Sequence, residues 1–344
     1  MELIELGCNT AGNIYGIGKH TRLVNAELNT RSGVHSVILS GSTENKSKLR
    51  KILSLEMSKA LLHASTMVKK TQVDCVIVEY PFDEFNPLII LAYRFLHGEC
   101  KKAHTVLALS MHEYDRVKYL RKKVIEHLIK SSDLIFVSEP KYLNKLKQLN
   151  SSIYLRTIPN HVPLNKNQDL MRLKNKNRYV YFGLVNKSKA FNEMITAWDL
   201  FNSDMQHELY ILTATKIEFE EATHNAIHLF FNLNNERVAE IMQSSMFSII
   251  PVKPDIGYNN SSMVSALQTG SIPIGVFNND YRNKSFVINL KNYSIDSIVH
   301  GLNVASALSK EKANEMSNAA EVFGREFTLE KTVNMMLDAI KDAQ

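Results

Sequence analysis

Short apolar runs rich in β-branched residues alternate with amphipathic stretches along most of the chain. The runs have the length of strands, and the stretches, such as Leu49–Val68, repeat apolar residues at the three- and four-residue spacing of a helix. Because strands that alternate with helices form parallel sheets, the pattern predicts an α/β fold made of βα units. The predicted strands are Leu3–Leu6, Val34–Leu39, Val73–Val78, Thr105–Leu109, Leu134–Val137 and Ile153–Ile158, and then Tyr179–Phe182, Glu208–Leu212, Ile227–Phe231, Phe247–Pro251, Ile272–Phe277 and Phe286–Leu290.

A polar segment, PLNKNQDLMRLKNKN (Pro163–Asn177), separates the two halves and has the composition of a linker. We therefore predict two doubly wound, Rossmann-like domains, 1–165 and 166–325. A terminal helix over 326–344 follows, with Thr328 as its N-cap. Its apolar stripe can pack on either domain and consists of Val333, Met336, Leu337 and Ile340.

Composition narrows the class of protein without naming a function. Apolar residues make up 44% and charged residues 22% of the chain, which is typical of a soluble globular protein. The net charge of +6 indicates an anionic partner, and it leaves nucleic acid, lipid headgroups and phosphorylated small molecules open. Cys8, Cys75 and Cys100 share no metal-ligand spacing, and the first residues, MELIELGCNT, lack the basic region of a signal peptide, so we expect a cytoplasmic protein.

Ligands of open α/β sheets bind beyond the carboxyl ends of the strands, so the loops at those ends are the candidates for chemistry. After the first strand, Gly12, Gly16 and Gly18 allow close approach of the backbone, and a helix beginning near Lys19 offers free N–H groups to an anion. A plain turn explains these glycines equally well.

Two loops of the first half carry ionisable side chains. His112, Glu113 and Asp115 follow the fourth strand. A histidine at the end of a strand and beside two carboxylates is explained equally well by a catalytic role and by a structural one. The loop after the third strand holds carboxylates that can bind hydroxyl groups or act as a base, although a solvated loop is the simpler interpretation. It contains Glu79, Tyr80, Asp83 and Glu84.

Two loops of the second half suit a phosphate. Lys187 and Lys189 precede a helix, where lysine opposes the helix dipole and an anion between them would explain their placement. Ordinary surface positions explain the two lysines equally well. In the loop PVKPDIGYNNSS, small polar residues precede the predicted helix Met263–Gln268, and their N–H groups and side chains suit a diphosphate. These residues are Asn259, Asn260, Ser261 and Ser262.

Taken together, these loops resemble those of GT-B glycosyltransferases, and most of all the nucleotide-sugar-dependent enzymes of glycosyltransferase family four. The similar segments occur in the family's order over nearly the whole chain. They are YGIGKHTRLV, SMHEYDR, SSDLIFVSE, IPNHVP, FGLVNKSKAFNEMITAW and ALQTGSIPI. The resemblance implies two Rossmann-like domains that face each other across a cleft, with an acceptor domain first, a donor domain second and the last helix returning to the first domain.

The chain departs from the family pattern at the donor site. The family's pair of glutamates aligns with Gly257 and Ser265, and its clamp arginine aligns with Leu184, while the clamp lysine is retained as Lys189. Either the enzyme is divergent or the chain is a non-catalytic partner of an active glycosyltransferase. We favour the divergent enzyme because His112 and Lys189 persist.

The resemblance implies a metal-independent, hexosyltransferase-type enzyme. It moves a sugar from a nucleotide-diphosphate sugar, expected to be a UDP-sugar, to a hydroxyl acceptor, and the resemblance leaves retention or inversion open. No cofactor and no metal are expected. The catalytic residues are expected to be His112, Lys189 and Glu113. The donor-binding residues are expected to be Gly16, Gly18, Lys187, Asn260, Ser261 and Ser262, and the acceptor-binding residues Tyr80, Asp83 and Glu84.

The acceptor is indicated only by a basic amphipathic segment, Arg116–Lys130. Such a helix can lie on an anionic membrane, at the inner face of the cell membrane, which would make the acceptor a lipid-linked glycan of cell-surface polysaccharide or glycolipid synthesis. A helix packed on the core with a solvated basic face explains it equally well. DNA glucosylation is an alternative, but nucleic acid is disfavoured because no recognition motif is present.

Overall fold

The computed structural model describes residues 1–8, 16–41, 54–81, 87–112, 114–115, 117, 119–155, 174–217, 226–258 and 260–344. It divides into two compact units, Met1–Pro159 with Leu329–Gln344, and Asn160–Thr328. Among the helices within these described ranges, none is long and apolar enough to cross a membrane.

The first unit contains a sheet of six parallel strands in the order β2-β1-β3-β4-β5-β6. The strands are β1 Glu2–Cys8, β2 His35–Gly41, β3 Cys75–Tyr80, β4 Val106–Met111, β5 Leu134–Val137 and β6 Ile153–Leu155. The helices are α1 Gly16–Leu28, α2 Glu56–Lys70, α3 Pro87–Ala103, α4 Tyr119–Lys130 and α5 Pro140–Leu146, and the terminal helix Leu329–Ala343 also belongs here.

Helices cover both faces of this sheet. Side chains alternate along β3, so Val76 and Val78 enter one core with α2, α3 and α4, while Cys75 and Ile77 enter the opposite core with α1 and the terminal helix. Every residue of β3 and β4 is buried, which explains why their sequences are continuous apolar runs.

The second unit repeats this plan with six parallel strands in the order β12-β11-β10-β7-β8-β9. Its strands are β7 Asn175–Phe182, β8 Glu208–Thr213, β9 Ile227–Phe231, β10 Ser245–Ile249, β11 Ile272–Gly275 and β12 Ile288–Asn289. Its helices are α6 Phe191–Phe201, α7 Asn235–Ser244, α8 Ser261–Gln268, α9 Ile295–Ala307 and α10 Lys310–Gly324, and a 3₁₀ turn spans Arg325–Phe327. The terminal helix, Leu329–Ala343, is α11.

One face of the second sheet carries an aromatic core with α6 and α9, and the other carries a smaller core with α7. The single tryptophan, Trp198 on α6, is fully buried there against Tyr179, with ring centroids 5.3 Å apart. Tyr179 in turn stacks on Phe247 of β10.

The predicted α/β class and parallel sheets are confirmed, but several element boundaries were wrong. The strand β7 begins at Asn175, inside the predicted linker. Helix α2 begins at Glu56, because Ser54 and Leu55 precede it in non-helical conformation. Helix α4 begins at Tyr119, and β12 is reduced to Ile288–Asn289.

The terminal helix α11 packs on the first sheet. All four residues of its predicted apolar stripe are buried, together with Cys75 and Ile77 of β3 and with Phe136 of β5. The four residues are Val333, Met336, Leu337 and Ile340. The end of the chain therefore belongs to the core of the first unit rather than to the second unit that precedes it.

Candidate functional site

In the second sheet, strand order reverses between the neighbours β7 and β10, and the loops that follow these two strands meet. The Lys253 amide donates to Ser188 O at 2.9 Å, and the Ala190 amide donates to Pro251 O at 2.8 Å. Lys189 and Val252 also form an antiparallel bridge. Such a reversal is the place where open α/β sheets bind ligands, and it holds the lysines predicted from sequence.

Lys189 is the cation most closely built into this edge. Its side chain is half-buried, and loss of hydration lowers the pKa of its ammonium below the ordinary 10.5. Lys187, by contrast, is exposed. A third cation, Lys253, was not predicted; its ammonium lies 2.7 Å from Glu193 of α6, which holds it over the same edge.

Helix α8 starts at this edge with two serines. Asn260 caps it, because its side-chain oxygen accepts a hydrogen bond from the Met263 amide at 3.0 Å. That oxygen is therefore engaged in the cap, while Ser261 is exposed and Ser262 is nearly buried. The first N–H groups of a helix have no partner within the helix, so this end presents donors to an anion.

Gly183, the first residue after β7, allows the strand to end close to α8. A Cβ at this position would lie 3.1 Å from Ser262 Oγ, and φ is +148°, which side-chain-bearing residues rarely adopt. The glycine thus keeps the start of the β7–α6 loop in contact with the start of α8.

The positions that depart from the family pattern have different surroundings. Leu184, the position expected to align with the clamp arginine, is apolar and 49% exposed. Ser265 is 1% exposed within α8, and Gly257 accepts a hydrogen bond from the Asn260 amide at 3.2 Å. Neither of the latter two positions supplies a carboxylate.

The first sheet presents a carboxylate and imidazoles at its own strand ends. Glu79 Oε2 accepts hydrogen bonds from His112 Nε2 at 2.8 Å and from Ser110 Oγ at 2.6 Å. His112 follows β4 directly and its amide donates to Tyr80 O at 3.0 Å, while the His20 ring of α1 meets the His112 ring edge-on with centroids 5.0 Å apart. His20 and Glu79 are 1% and 0% exposed.

Two residues expected in the loop after the third strand lie instead in the strand itself. Glu79 and Tyr80 are the last residues of β3, and Tyr80 is 1% exposed, with Arg121 over its ring at 5.8 Å. The Tyr80 ring therefore belongs to the core, not to an open loop surface. Pairing with β4 extends to Tyr80–Met111, which is why the strand continues through the polar residues.

Helix α1 begins at Gly16 rather than near Lys19 as predicted, so both Gly16 and Gly18 lie in its first turn. Gly18 is buried. Burial and the neighbouring Arg22 lower the pKa of Lys19, so two cations stand close together near the start of this helix.

The remaining candidate residues divide into paired and undescribed ones. Asp115 forms ion pairs with Lys141 and Lys145; although burial opposes it, these lysines hold the pKa of Asp115 below its ordinary value. This pairing favours a structural role for Asp115 over a role as a general base. Five candidates lie outside the described residues: Gly12, Asp83, Glu84, Glu113 and Asn259.

An apolar patch on α3 was not predicted. Leu88, Leu91 and Phe95 are 49%, 58% and 54% exposed and lie at positions i, i+3 and i+7 of one helix face. Arg94 Nε donates to His127 Nε2 of α4 at 2.7 Å, so the basic helix lies beside this face. The α3 periodicity was visible in the sequence, but periodicity alone does not tell a core stripe from an exposed one.

Comparison with known proteins identifies the fold. No protein-family profile matches the chain, and no characterised protein matches it in sequence. Among solved structures, a glycosyltransferase from Rickettsia africae superimposes with a TM-score of 0.70 at 13% identity, covering 99% of this chain and 98% of its own. An alpha-glucosyltransferase in complex with UDP and a 13-mer DNA containing an HMU base gives 0.61 at 13%, covering 99% of both chains.

An Escherichia coli structure described as trehalose-6-phosphate bound with UDP-2-fluoro glucose gives a TM-score of 0.63 at 9% identity, covering 99% of both chains. At these identities the likeness extends to the fold and no further, and membership of family four stays a prediction. The chain has the α/β architecture of GT-B glycosyltransferases, two six-stranded parallel sheets with helices, over its full length.

Proposed function

We propose that this protein is a glycosyltransferase that moves a sugar from a nucleotide-diphosphate sugar, with UDP as the nucleotide, to a hydroxyl group of an acceptor. The observation that carries the proposal is the edge of the second sheet, where Lys189 and the start of α8 lie on adjoining loops at the reversal of strand order. Neighbours of the same fold bind UDP or a UDP-sugar, which supports the choice of nucleotide.

The chemistry requires stabilisation of the leaving group. As the bond between the sugar C1 and the phosphate oxygen breaks, its electron pair stays on the diphosphate and negative charge grows there. Lys189 and the N–H groups of Ser261 and Ser262 are fixed donors for that charge, and Lys187 adds an exposed cation. The acceptor oxygen forms the new bond to C1, and its proton leaves to a base or to the departing phosphate.

Residues of the first unit have proposed roles at the sugar and acceptor. His112, fixed through its Nε2 by Glu79, contacts the donor sugar, the role that the resemblance implies. By the same resemblance, Gly16 and Gly18 in the first turn of α1 are proposed as donor-binding residues. Glu113 as base, and Asp83 and Glu84 as acceptor contacts, stay proposals on residues outside the described ranges.

Nucleotide binding tests this function directly. Isothermal titration of UDP, GDP, CMP and dTDP into the full chain is expected to select one nucleotide. Lys189→Ala should weaken its binding about 10- to 100-fold, the effect of losing a charge-assisted hydrogen bond of about 1.5–3 kcal/mol. Lys312→Ala is the matched control, because Lys312 is an exposed lysine paired with Glu315 on α10. Release of the nucleotide from its sugar conjugate then measures turnover.

Absence of binding for all four nucleotides would refute the enzyme and favour the alternative of a non-catalytic GT-B partner. That alternative gains its support from the missing glutamate pair at Gly257 and Ser265. Binding without turnover in the presence of acceptors would also favour it. Binding with an unchanged affinity in Lys189→Ala would place the donor elsewhere than at this edge.

For the acceptor, we propose a lipid-linked glycan at an anionic membrane surface. Helices α3 and α4 follow successive parallel strands and cover the same face of the sheet, and the Arg94–His127 contact sets them side by side. The exposed apolar residues of α3 thus adjoin Tyr119 and Leu120, 71% and 69% exposed, and the basic start of α4. An apolar patch bordered by lysine and arginine fits an interface with anionic headgroups.

Vesicle flotation tests the membrane proposal. Binding to vesicles of phosphatidylcholine with phosphatidylglycerol should exceed binding to phosphatidylcholine alone, and Leu91→Glu should abolish it. Val322→Glu is the control, since Val322 is equally exposed, at 59%, but lies on α10 of the second unit. No preference for anionic vesicles would refute this surface.

DNA is the second candidate acceptor, because the alpha-glucosyltransferase of the same fold was solved with UDP and DNA. The net charge of +6 is compatible with it. Transfer of label from UDP-glucose to hydroxymethylated duplex DNA, retained in Leu91→Glu, would favour DNA over the lipid-linked acceptor.

A further inference from the structure

Three side chains at the carboxyl edge of the first sheet form a group with the composition of a metal site. They are His20 of α1, Glu79 of β3 and His112 after β4, and one ligand atom from each lies within 4.8 Å of the others. The closest pair is His112 Nε2 and Glu79 Oε2, at 2.8 Å. No other group of three or more such residues occurs in the described part of the chain.

Two imidazoles and one carboxylate are a ligand set that zinc uses where it keeps one coordination position open. Zinc bonds of about 2.0–2.1 Å in a tetrahedral site hold ligand atoms about 3.4 Å apart. The 2.8 Å pair would have to open slightly and the more distant atom would have to approach.

The surroundings of the group are those of a prepared site. Glu79 is 0% exposed and its Oε2 also accepts from Ser110 Oγ, so the carboxylate is already oriented by a second partner. A buried carboxylate that stays ionised is stabilised by a neighbouring positive charge, which a bound cation can provide. The side chain of His112 is 12% exposed, which leaves a path from solvent to the group.

The three side chains are also held by rigid elements. Glu79 and His112 stand at the ends of neighbouring parallel strands, and the His112 amide is fixed to Tyr80 O. His20 belongs to the helix that follows β1, and β1 pairs directly with β3. The site therefore lies where strand order reverses in the first sheet, between β1 and β3, the position at which such sheets bind ligands.

We propose that His20, Glu79 and His112 bind one divalent cation, with zinc as the best match to the ligand set, and that the fourth position remains open. This departs from the expectation of a metal-free protein. It goes beyond the proposed function, since donor binding at Lys189 does not require it. A bound cation would occupy the His112 nitrogen, so metal binding and contact of His112 with the sugar compete.

Equilibrium dialysis of the chelator-stripped full chain against zinc, followed by elemental analysis, tests the proposal. One zinc per chain is expected, with loss in His20→Ala and in Glu79→Gln. His300→Ala should retain it, because His300 is an exposed histidine on α9 of the second unit. Circular dichroism of each variant establishes that it is folded.

Measurements on the unmodified chain keep the proposal testable if a variant fails to fold. Cobalt should give the intense visible absorption of a four-coordinate site, and the melting temperature should rise with the logarithm of zinc concentration. Folded wild-type protein that holds zinc only substoichiometrically, or zinc retained in folded His20→Ala, would overturn the proposal. In those cases the three side chains contact one another without a bound cation.

The same samples separate this proposal from the proposed function. Nucleotide titration with and without chelator tests the proposed donor site of the second unit. Zinc content tests the group of His20, Glu79 and His112 in the first unit. Zinc binding without nucleotide binding would leave the metal site standing and refute the transferase. Nucleotide binding without zinc binding would leave the proposed function standing and refute the metal site.

Discussion

Lys174, the last residue before β7, gives a quantitative prediction about the second unit. Its ammonium donates to Gln243 O at 2.8 Å and to Ser245 O at 3.1 Å, at the corner where α7 passes into β10. Loss of hydration lowers the pKa of Lys174 from 10.5 to about 7, against a weaker opposing effect of Glu321. The folded chain therefore loses the proton near neutrality, whereas the unfolded chain keeps it until much higher pH.

The direction of the pH dependence follows from proton binding. Between pH 7 and pH 10 the unfolded state binds more protons at Lys174 than the folded state, so the free energy of unfolding rises with pH. With about 1.36 kcal/mol per pH unit for one proton, and half a proton already lost at pH 7, this residue adds about 2 kcal/mol between pH 7 and pH 9. Below pH 6 both states are protonated and Lys174 contributes no slope.

The assay uses Trp198, the single tryptophan, whose burial in the second unit makes its fluorescence report on that unit. Urea unfolding at several pH values gives the free energy of unfolding as a function of pH. Its rise from pH 7 to pH 9 should be smaller in Lys174→Met than in the wild type by about 2 kcal/mol. Lys291→Met, a change at an exposed lysine, should leave the wild-type slope. An equal pH dependence in wild type and Lys174→Met would refute a lowered pKa at Lys174.

Three further outcomes are expected. Gly183→Ala should lower the free energy of unfolding of the second unit by about 1–2 kcal/mol, because a Cβ 3.1 Å from Ser262 Oγ and a φ of +148° strain the folded state alone. Urea unfolding followed by Trp198 fluorescence measures it, and Gly98→Ala, in the first unit and with nothing within 4 Å of its Cβ, should leave the second unit unchanged. Met336→Ala should destabilise the first unit by about 2–5 kcal/mol, read from hydrogen exchange in β3 and β4, and undiminished protection there would contradict the packing of α11. Burial lowers the pKa of Lys189, and a bound diphosphate favours its charged form, so nucleotide binding at alkaline pH should take up a proton. Calorimetry in buffers of different ionisation enthalpy detects this proton. Uptake that persists in Lys189→Ala would assign it to another group.

Local sequence predicted the strands well because burial on both faces leaves a continuous apolar signal. The runs around Val76 and Leu107 are examples, since every residue of β3 and β4 is buried. Where a strand ended was harder to predict. Glu79 looked like the start of a loop, and its pairing with β4 and its hydrogen bonds to Ser110 and His112, 31 and 33 residues away, keep it inside the sheet.

The same limit applies to the candidate site. Lys189 was found from a local rule, the cost of a lysine before a helix start, and the structure places it at the strand-order reversal. His20 could not be found in this way, because its partner ring belongs to His112, and no spacing within α1 indicates that contact. The exposure of Leu91 likewise depends on which face of α3 the sheet covers.

Two of the three positions that depart from the family pattern, Leu184 and Ser265, would affect the proposed donor binding differently. Leu184 is exposed, and an arginine there would add one cation to the surface; under the proposed function, Lys189 and the start of α8 hold the diphosphate without it. Ser265 is buried at 1% exposure, and a glutamate there would place a carboxylate among the apolar residues around α8. The packing of α8 therefore matches the small side chain of Ser265. If the proposed function holds, affinity for the donor rests mainly on its diphosphate, and we expect weak discrimination at the ribose.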